Sequence, residues 1–92
     1  MKIIYRQHAV KRMHERGISE EDVGSAIANG LVIESYPNDT PFSSALLLGQ
    51  AGLKAIHVVY ADVVDDDLRV IITVYEPDAK IWCDDLKTRR SK

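Results

Sequence analysis

His8-Ala9-Val10-Lys11-Arg12-Met13-His14-Glu15-Arg16-Gly17-Ile18-Ser19 decides how the rest of the chain is read. A helix advances about 100° per residue, so residues four apart stack on one face. Ala9 and Met13 form one such row, with Val10 beside them, and these are the core-facing positions. His8, Arg12 and Arg16 form the neighbouring row. The stretch is therefore an amphipathic helix, from about Arg6 to Arg16, with a basic ridge along its apolar stripe. Unpaired charges are costly to desolvate, so the ridge is either a solvated face or the wall of an anion site. Gly17 can take the left-handed conformation that ends a helix. Ser19-Glu20-Glu21-Asp22 then opens a second helix in the manner of a capping box, with acids in the first turn where the helix dipole favours them. Val23, Ala26 and Ile27 supply its buried stripe, and Asn29-Gly30 stops it. The short link makes the pair a helical hairpin.

After Gly30 the apolar period changes from helical to alternating. Residues 31–36, 44–49, 54–61 and 68–75 read as four strands, separated by turn-forming or acidic segments. In the third, Ile56, Val58 and Tyr60 share one face and His57 and Val59 the other. In the fourth, simple alternation sets Leu68, Val70, Ile72 and Val74 opposite Arg69, Ile71, Thr73 and Tyr75. Short connections between the last three strands imply an antiparallel meander. Lys2-Ile3-Ile4-Tyr5 is either an edge strand or the approach to the first helix. Residues 79–86 are a short helix or a coil that packs Trp82, and the last six residues are expected to fray. The expected architecture is a single α+β domain over residues 1–92: a helical hairpin on one face of a four-stranded antiparallel sheet, with the other face partly open.

Composition narrows the function classes. Ninety-two residues make room for one modest core, and 46% hydrophobic with 28% charged residues is ordinary for a globular domain. There is no apolar run of membrane-spanning length and no signal-peptide pattern, so a cytoplasmic protein is expected. Cys83 is the single cysteine, which excludes an internal disulfide. His8, His14, His57 and Cys83 lack the paired spacing of a zinc site, so neither a metal nor a cofactor is expected. The formal charge of −2 argues against a generic nucleic-acid binder. The charge is unevenly spread, however. Lys2, Arg6, Lys11, Arg12 and Arg16 against Glu15 give residues 1–17 a net +4, and Lys87, Arg89, Arg90 and Lys92 give the C-terminus another +4. A positive patch forms only if the two ends meet in space.

Several catalytic templates fail. There is no glycine-rich phosphate loop, and Ser35, Ser43 and Ser44 lack a nucleophile-elbow context. Trp82 before Cys83 and two acids after it make a poor setting for a thiolate nucleophile. One constellation survives. Arg12 offers a planar fork to phosphate oxygens, and His8 is a residue type that can serve as acid or base near neutral pH. If the His8/Arg12 ridge, His57 and Tyr75 line one concavity, they supply an acid/base pair, a phosphate clamp and a stacking ring. Those are the parts that metal-independent RNA cleavage requires. A lone mid-strand histidine is more often a packing residue than a catalyst, and the shared face of Thr73 and Tyr75 also favours a structural sheet surface.

The pattern His8-Ala9-x-x-Arg12-Met13-x-x-Arg16-Gly17-Ile18-Ser19, Val23, Asn29-Gly30 resembles the opening of a small bacterial family, domain of unknown function family 4258. Tyr36-Pro37, Leu47-Leu48-Gly49, His57-Val58-Val59 and Ile72-Thr73-Val74-Tyr75-Glu76-Pro77-Asp78, then Trp82, continue the likeness over roughly residues 6–82. The resemblance implies kinship with RelE/ParE-like toxins, within the barnase–EndoU–colicin–RelE group of RNase folds. It also implies a small zinc-finger antitoxin as partner, and RNA as substrate. On that basis His8 and His57 are the acid/base candidates, Arg12 the phosphate ligand and Tyr75 a positioning group, with Arg16, Thr73 and Arg89 as further substrate contacts. The leading expectation is the toxin of a toxin–antitoxin pair. The alternative is a non-catalytic protein-interaction module of the same fold, which the acidic total favours and which leaves self-association open.

Overall fold

The computed structural model describes residues 1–91. Lys92, counted above in the basic tail, lies outside the described residues. The elements are β1 (Lys2–Tyr5), α1 (Gln7–Arg16), α2 (Glu20–Asn29), β2 (Leu31–Tyr36), β3 (Ser44–Ala51), β4 (Lys54–Val63) and β5 (Leu68–Tyr75), with a short 3-10 turn at Val64–Asp66 before β5.

Both helices form as their sequence dictates. Gly17 ends α1 with φ 65° and returns its N–H to the carbonyls of Met13 and His14. Ser19 caps α2 through a reciprocal pair: its hydroxyl accepts from the Asp22 N–H at 3.0 Å, and the Asp22 carboxylate accepts from the Ser19 N–H at 2.9 Å. Helix α1 packs on β5 and α2 on β3. Among the described residues no helix is long and apolar enough to cross a membrane.

The sheet corrects the expected one. It has five strands in the order β1-β5-β4-β3-β2, not four, and it is mixed. β1 lies parallel to β5, with Lys2 beside Leu68 and Tyr5 beside Ile71. The three pairings among β2 to β5 are antiparallel as expected. The α1–α2 hairpin and the three following strands separate β1 from β5 in sequence, and a parallel pair requires such a long crossover. A four-residue segment carries no local sign of that distant pairing.

A second correction concerns β5. Val59 faces Thr73 but Tyr60 faces Ile71, so Ile72 is the extra residue of a bulge. The bulge resets the alternation, and Ile71 and Val74 are both buried on the helix side. Simple alternation had set them on opposite faces. The face assignment of β4 holds. Ile56, Val58 and Tyr60 join Ala9, Met13, Ile18, Val23, Ala26 and Leu47 in the core beneath the helices.

The opposite sheet face is not open over its middle. His57, Tyr75 and Leu48 share that face by register, as do Val59, Thr73, Leu46 and Glu34. After β5 the chain turns back across it. Trp82 is 2% exposed, His57 is fully buried, and neither belongs to the helix-side cluster. The expectation that Trp82 is packed by a coil holds. The expectation of fraying fails at Arg89, which makes an antiparallel bridge to Trp82, and at Arg90, which donates to the Ala79 carbonyl at 2.6 Å.

Candidate functional site

Two polar groups are built on this scaffold, one on each side of the sheet. The first grows from alternation along β2 and β4. Glu34 and Tyr36 fall two apart on β2, so they share a face. Register brings that strip alongside the row that carries His57 on β4. The returning C-terminal segment completes the group with Trp82, Leu86 and Arg89.

His57 is the centre of this group. Its Nε2 lies 2.8 Å from the Leu86 carbonyl oxygen and its Nδ1 3.2 Å from the Tyr75 hydroxyl. A carbonyl only accepts, so the network assigns the proton to Nε2, and Nδ1 accepts from Tyr75. Trp82 meets the imidazole edge-on with ring centroids 4.5 Å apart, and Tyr75 does so at 5.2 Å. Burial pushes the His57 pKa down, opposed by the Leu86 carbonyl and by Glu34. Burial likewise raises the Tyr75 pKa.

Arg89 closes the group at the solvent side. Its Nε and Nη2 donate to the two Glu34 oxygens at 2.9 and 3.1 Å, a bidentate pair. Its guanidinium also lies 4.6 Å from the Trp82 ring centroid. The Tyr36 hydroxyl donates to Glu34 as well. The Arg89 hydrogen bonds hold the Glu34 carboxyl below the usual carboxylate range, more than offsetting its partial desolvation.

The second group is the α1 ridge. His8 and Arg16 are exposed and Arg12 is half-buried. Arg12 Nε is buried without a hydrogen-bond partner, the one such side-chain atom among the described residues. Ala9 and Met13 pin α1 to the helix side of the sheet, whereas His57 and Tyr75 face the other way. The structure therefore does not bring the sequence candidates into one concavity. His8, Arg12 and Arg16 stand together on α1. His57 and Tyr75 touch across the sheet from them. Thr73 is half-buried on the His57 face, and Arg89 is held by Glu34 rather than by the α1 ridge. Among the described residues, Arg89 of the basic C-terminus is thus engaged by Glu34 and not by the basic residues of α1.

Glu34, Tyr36 and Leu86 join the group without being among the residues that the sequence singles out. Glu34-x-Tyr36 on an alternating strand carried a usable signal for a shared face. Leu86, which acts through its carbonyl, carried none.

Chemically the His57 group is saturated. No ring nitrogen is free to take a substrate proton, and the carboxylate and guanidinium neutralise each other. It fastens the C-terminal segment to the sheet. Because the folded pKa of His57 lies below its unfolded value of about 6.5, the unfolded state binds more protons across that interval. The histidine's contribution to stability is complete above the unfolded value and declines as pH falls toward the folded one. Urea unfolding at stepped pH is expected to show this loss below about pH 6.5, and His57→Gln is expected to remove it.

The scaffold is thus that of a small α+β protein with two N-terminal helices on one face of a mixed five-stranded sheet. Residues 5–76 match the family described as domain of unknown function DUF4258, and the chain belongs to that family. No curated protein and no solved structure matches the chain.

Proposed function

We propose that this chain is a non-catalytic protein-interaction module, on a fold related to the RelE/ParE-like toxins. The observation that carries the reading is the state of His57: fully buried, with both nitrogens engaged, on the opposite side of the sheet from His8 and Arg12. An acid/base catalyst must reach the proton that it moves. The acidic total charge supports the same reading, as do the unpaired outer edges of β1 and β2 with exposed Ile3, Ile4, Leu31 and Val32.

A second reading has one observation in its favour. Arg12 is half-buried with an unpartnered Nε–H, one turn from exposed His8, and a guanidinium left without a protein partner is the group type that takes up a phosphate. In that reading the chain is a toxin that cleaves RNA, with Arg12 holding the phosphate, Arg16 assisting and His8 as the accessible acid or base.

Induced expression separates the two. Wild type and the His8→Ala/Arg12→Ala double mutant are expressed, growth is followed, and total RNA is run from the same cultures. The interaction module predicts intact RNA in both cultures, with both proteins folded. RNA fragmentation by wild type that the double mutant abolishes would overturn it in favour of the toxin.

A further inference from the structure

The outer edge of β1 sits beside an apolar groove, and the two have compatible geometry. Lys2 N–H donates to the Asp67 carbonyl at 2.9 Å and Arg6 N–H to the Ile71 carbonyl at 3.0 Å. In a parallel ladder the alternate residues face the partner strand, so the main-chain N–H and C=O groups of Ile3 and Tyr5 point outward. The groove lies on the helix side of this edge. It is about 360 Å³ and is lined by Tyr5, Val10, Met13, His14, Ile18 and Glu20. Its size suits one large apolar or aromatic side chain. Val10 at its mouth is 45% exposed and Ile3 on the adjoining strand 37%.

Charge narrows the occupant. Lys2 and Arg6 bracket β1, and both are exposed, as is Lys11 on the helix that follows. Asp67, at the start of the strand, lies 3.9 Å from the amino terminus, Glu20 lines the groove with Tyr5, and Asp39 shares a small cavity with Arg6, which leaves Lys2 and Lys11 as the cations that favour an acidic partner. A second copy of this chain fits poorly. Antiparallel self-pairing centred on Ile4 would set Lys2 against Arg6 across the strands, and like charges opposite each other are destabilising. An acidic segment suits both the cations and the edge.

We propose that β1 receives an extended acidic segment of a partner protein as a sixth strand, with one aromatic or large aliphatic side chain of that segment seated in the groove. This deepens the interaction-module reading and rests on it. Main-chain bonds to Ile3 and Tyr5 provide the affinity, the groove selects one apolar anchor, and Lys2 and Lys11 select acidic flanks.

The probe is a synthetic peptide of alternating Glu and Val with one central Phe. Two control peptides carry Lys for every Glu, or Ala for the Phe. Titration calorimetry at low salt is expected to show saturable binding of the Glu/Phe peptide, weakened at least tenfold in either control. Ile3→Pro removes an outward N–H that the free fold does not use, and Val10→Asp puts a charge at the groove mouth. Each is expected to weaken binding at least tenfold while leaving the melting transition cooperative. In wild type, peptide is expected to raise hydrogen-exchange protection at the Ile3 and Tyr5 amides, a readout that needs no variant. Absence of binding, equal binding of the Lys and Glu peptides, or unchanged protection at those two amides would overturn the proposal. RNA cleavage by wild type would overturn the interaction-module reading whatever the peptide does. Failed binding without RNA cleavage overturns the strand-addition proposal alone.

Discussion

Trp82→Ala is expected to destabilise the protein by about 3–5 kcal/mol, the usual range for deleting a buried indole. The reason is more than lost area. Trp82 is the wedge between the returning C-terminal segment and the sheet. It covers the edge of the His57 ring at 4.5 Å and carries the Arg89 guanidinium at 4.6 Å. Without it the Glu34–Arg89 pair becomes an ordinary exposed ion pair, and such pairs contribute little. Water then reaches His57, whose neutral state depends on burial. Urea unfolding is expected to show the stability loss. NMR titration of the same variant is expected to show the His57 pKa returning toward its ordinary value. A loss under about 1 kcal/mol, smaller than for most truncations of buried side chains, together with an unchanged His57, would mean that the segment is held by something other than Trp82.

Gly49→Ala is expected to cost about 3 kcal/mol or more, at the upper end of overpacking effects. Gly49 lies on β3 directly beneath α2. A Cβ there would collide with the main chain of Ala26, at its carbonyl oxygen, its carbonyl carbon and its Cα. Backbone cannot swing aside as a side chain can, so α2 must lift from the sheet. It is also tied down just beyond the contact. Asn29 Nδ2 donates to the Gln50 carbonyl at 3.0 Å, and Gln50 N–H donates to Asn29 Oδ1 at 2.9 Å. Gly24 offers the internal contrast. It lies within α2, and an added Cβ there meets nothing within 4 Å. Gly24→Ala is therefore expected to stabilise by about 0.5–1 kcal/mol through helix propensity. Thermal melts of the two variants beside wild type are expected to move in opposite directions. Similar shifts in the same direction would contradict the close approach of α2 to β3.

The parts of this fold that were legible in the sequence are those governed by local chemistry. The 3.6-residue period placed α1, Gly17 ended it, and Ser19 with Asp22 announced the start of α2. Period-two alternation placed β2 to β5 and correctly set His57 opposite Ile56 and Val58. What was not legible depended on distant parts of the chain. An edge strand is one of the two sequence readings of Lys2–Tyr5, but its parallel pairing with β5 is made far away in sequence. The Ile72 bulge is set by register between two strands and leaves no mark on the β5 sequence itself. The environment of His57 is made by Trp82 and Leu86, which arrive only after the chain turns back. The sequence favours packing for this histidine and leaves catalysis conditional on its meeting His8 and Arg12, and neither its partners nor that separation is visible locally.

The separation of the two polar groups shapes the functional account. RNA cleavage by a combined His8, Arg12, His57 and Tyr75 site needs all four around one substrate. The sheet stands between the two pairs, so the strongest sequence argument for that site loses its geometric premise. The α1 ridge keeps an open arginine and an exposed histidine. The His57 group keeps a closed network that joins β2, β4, β5 and the C-terminal segment.

His57 is a sealed, neutral residue that fastens the C-terminal segment to the sheet. The most direct test of this is an imidazole 15N NMR titration of the intact protein from pH 8 to pH 4, a range of roughly two units on each side of the ordinary histidine value. A sealed ring keeps the Nε2–H tautomer throughout the folded range and takes no proton near that ordinary value. Protonation of His57 near pH 6.5 would show that the ring is open to solvent, and an Nδ1–H tautomer would show that Nε2 does not donate to Leu86; either result contradicts the sealed network.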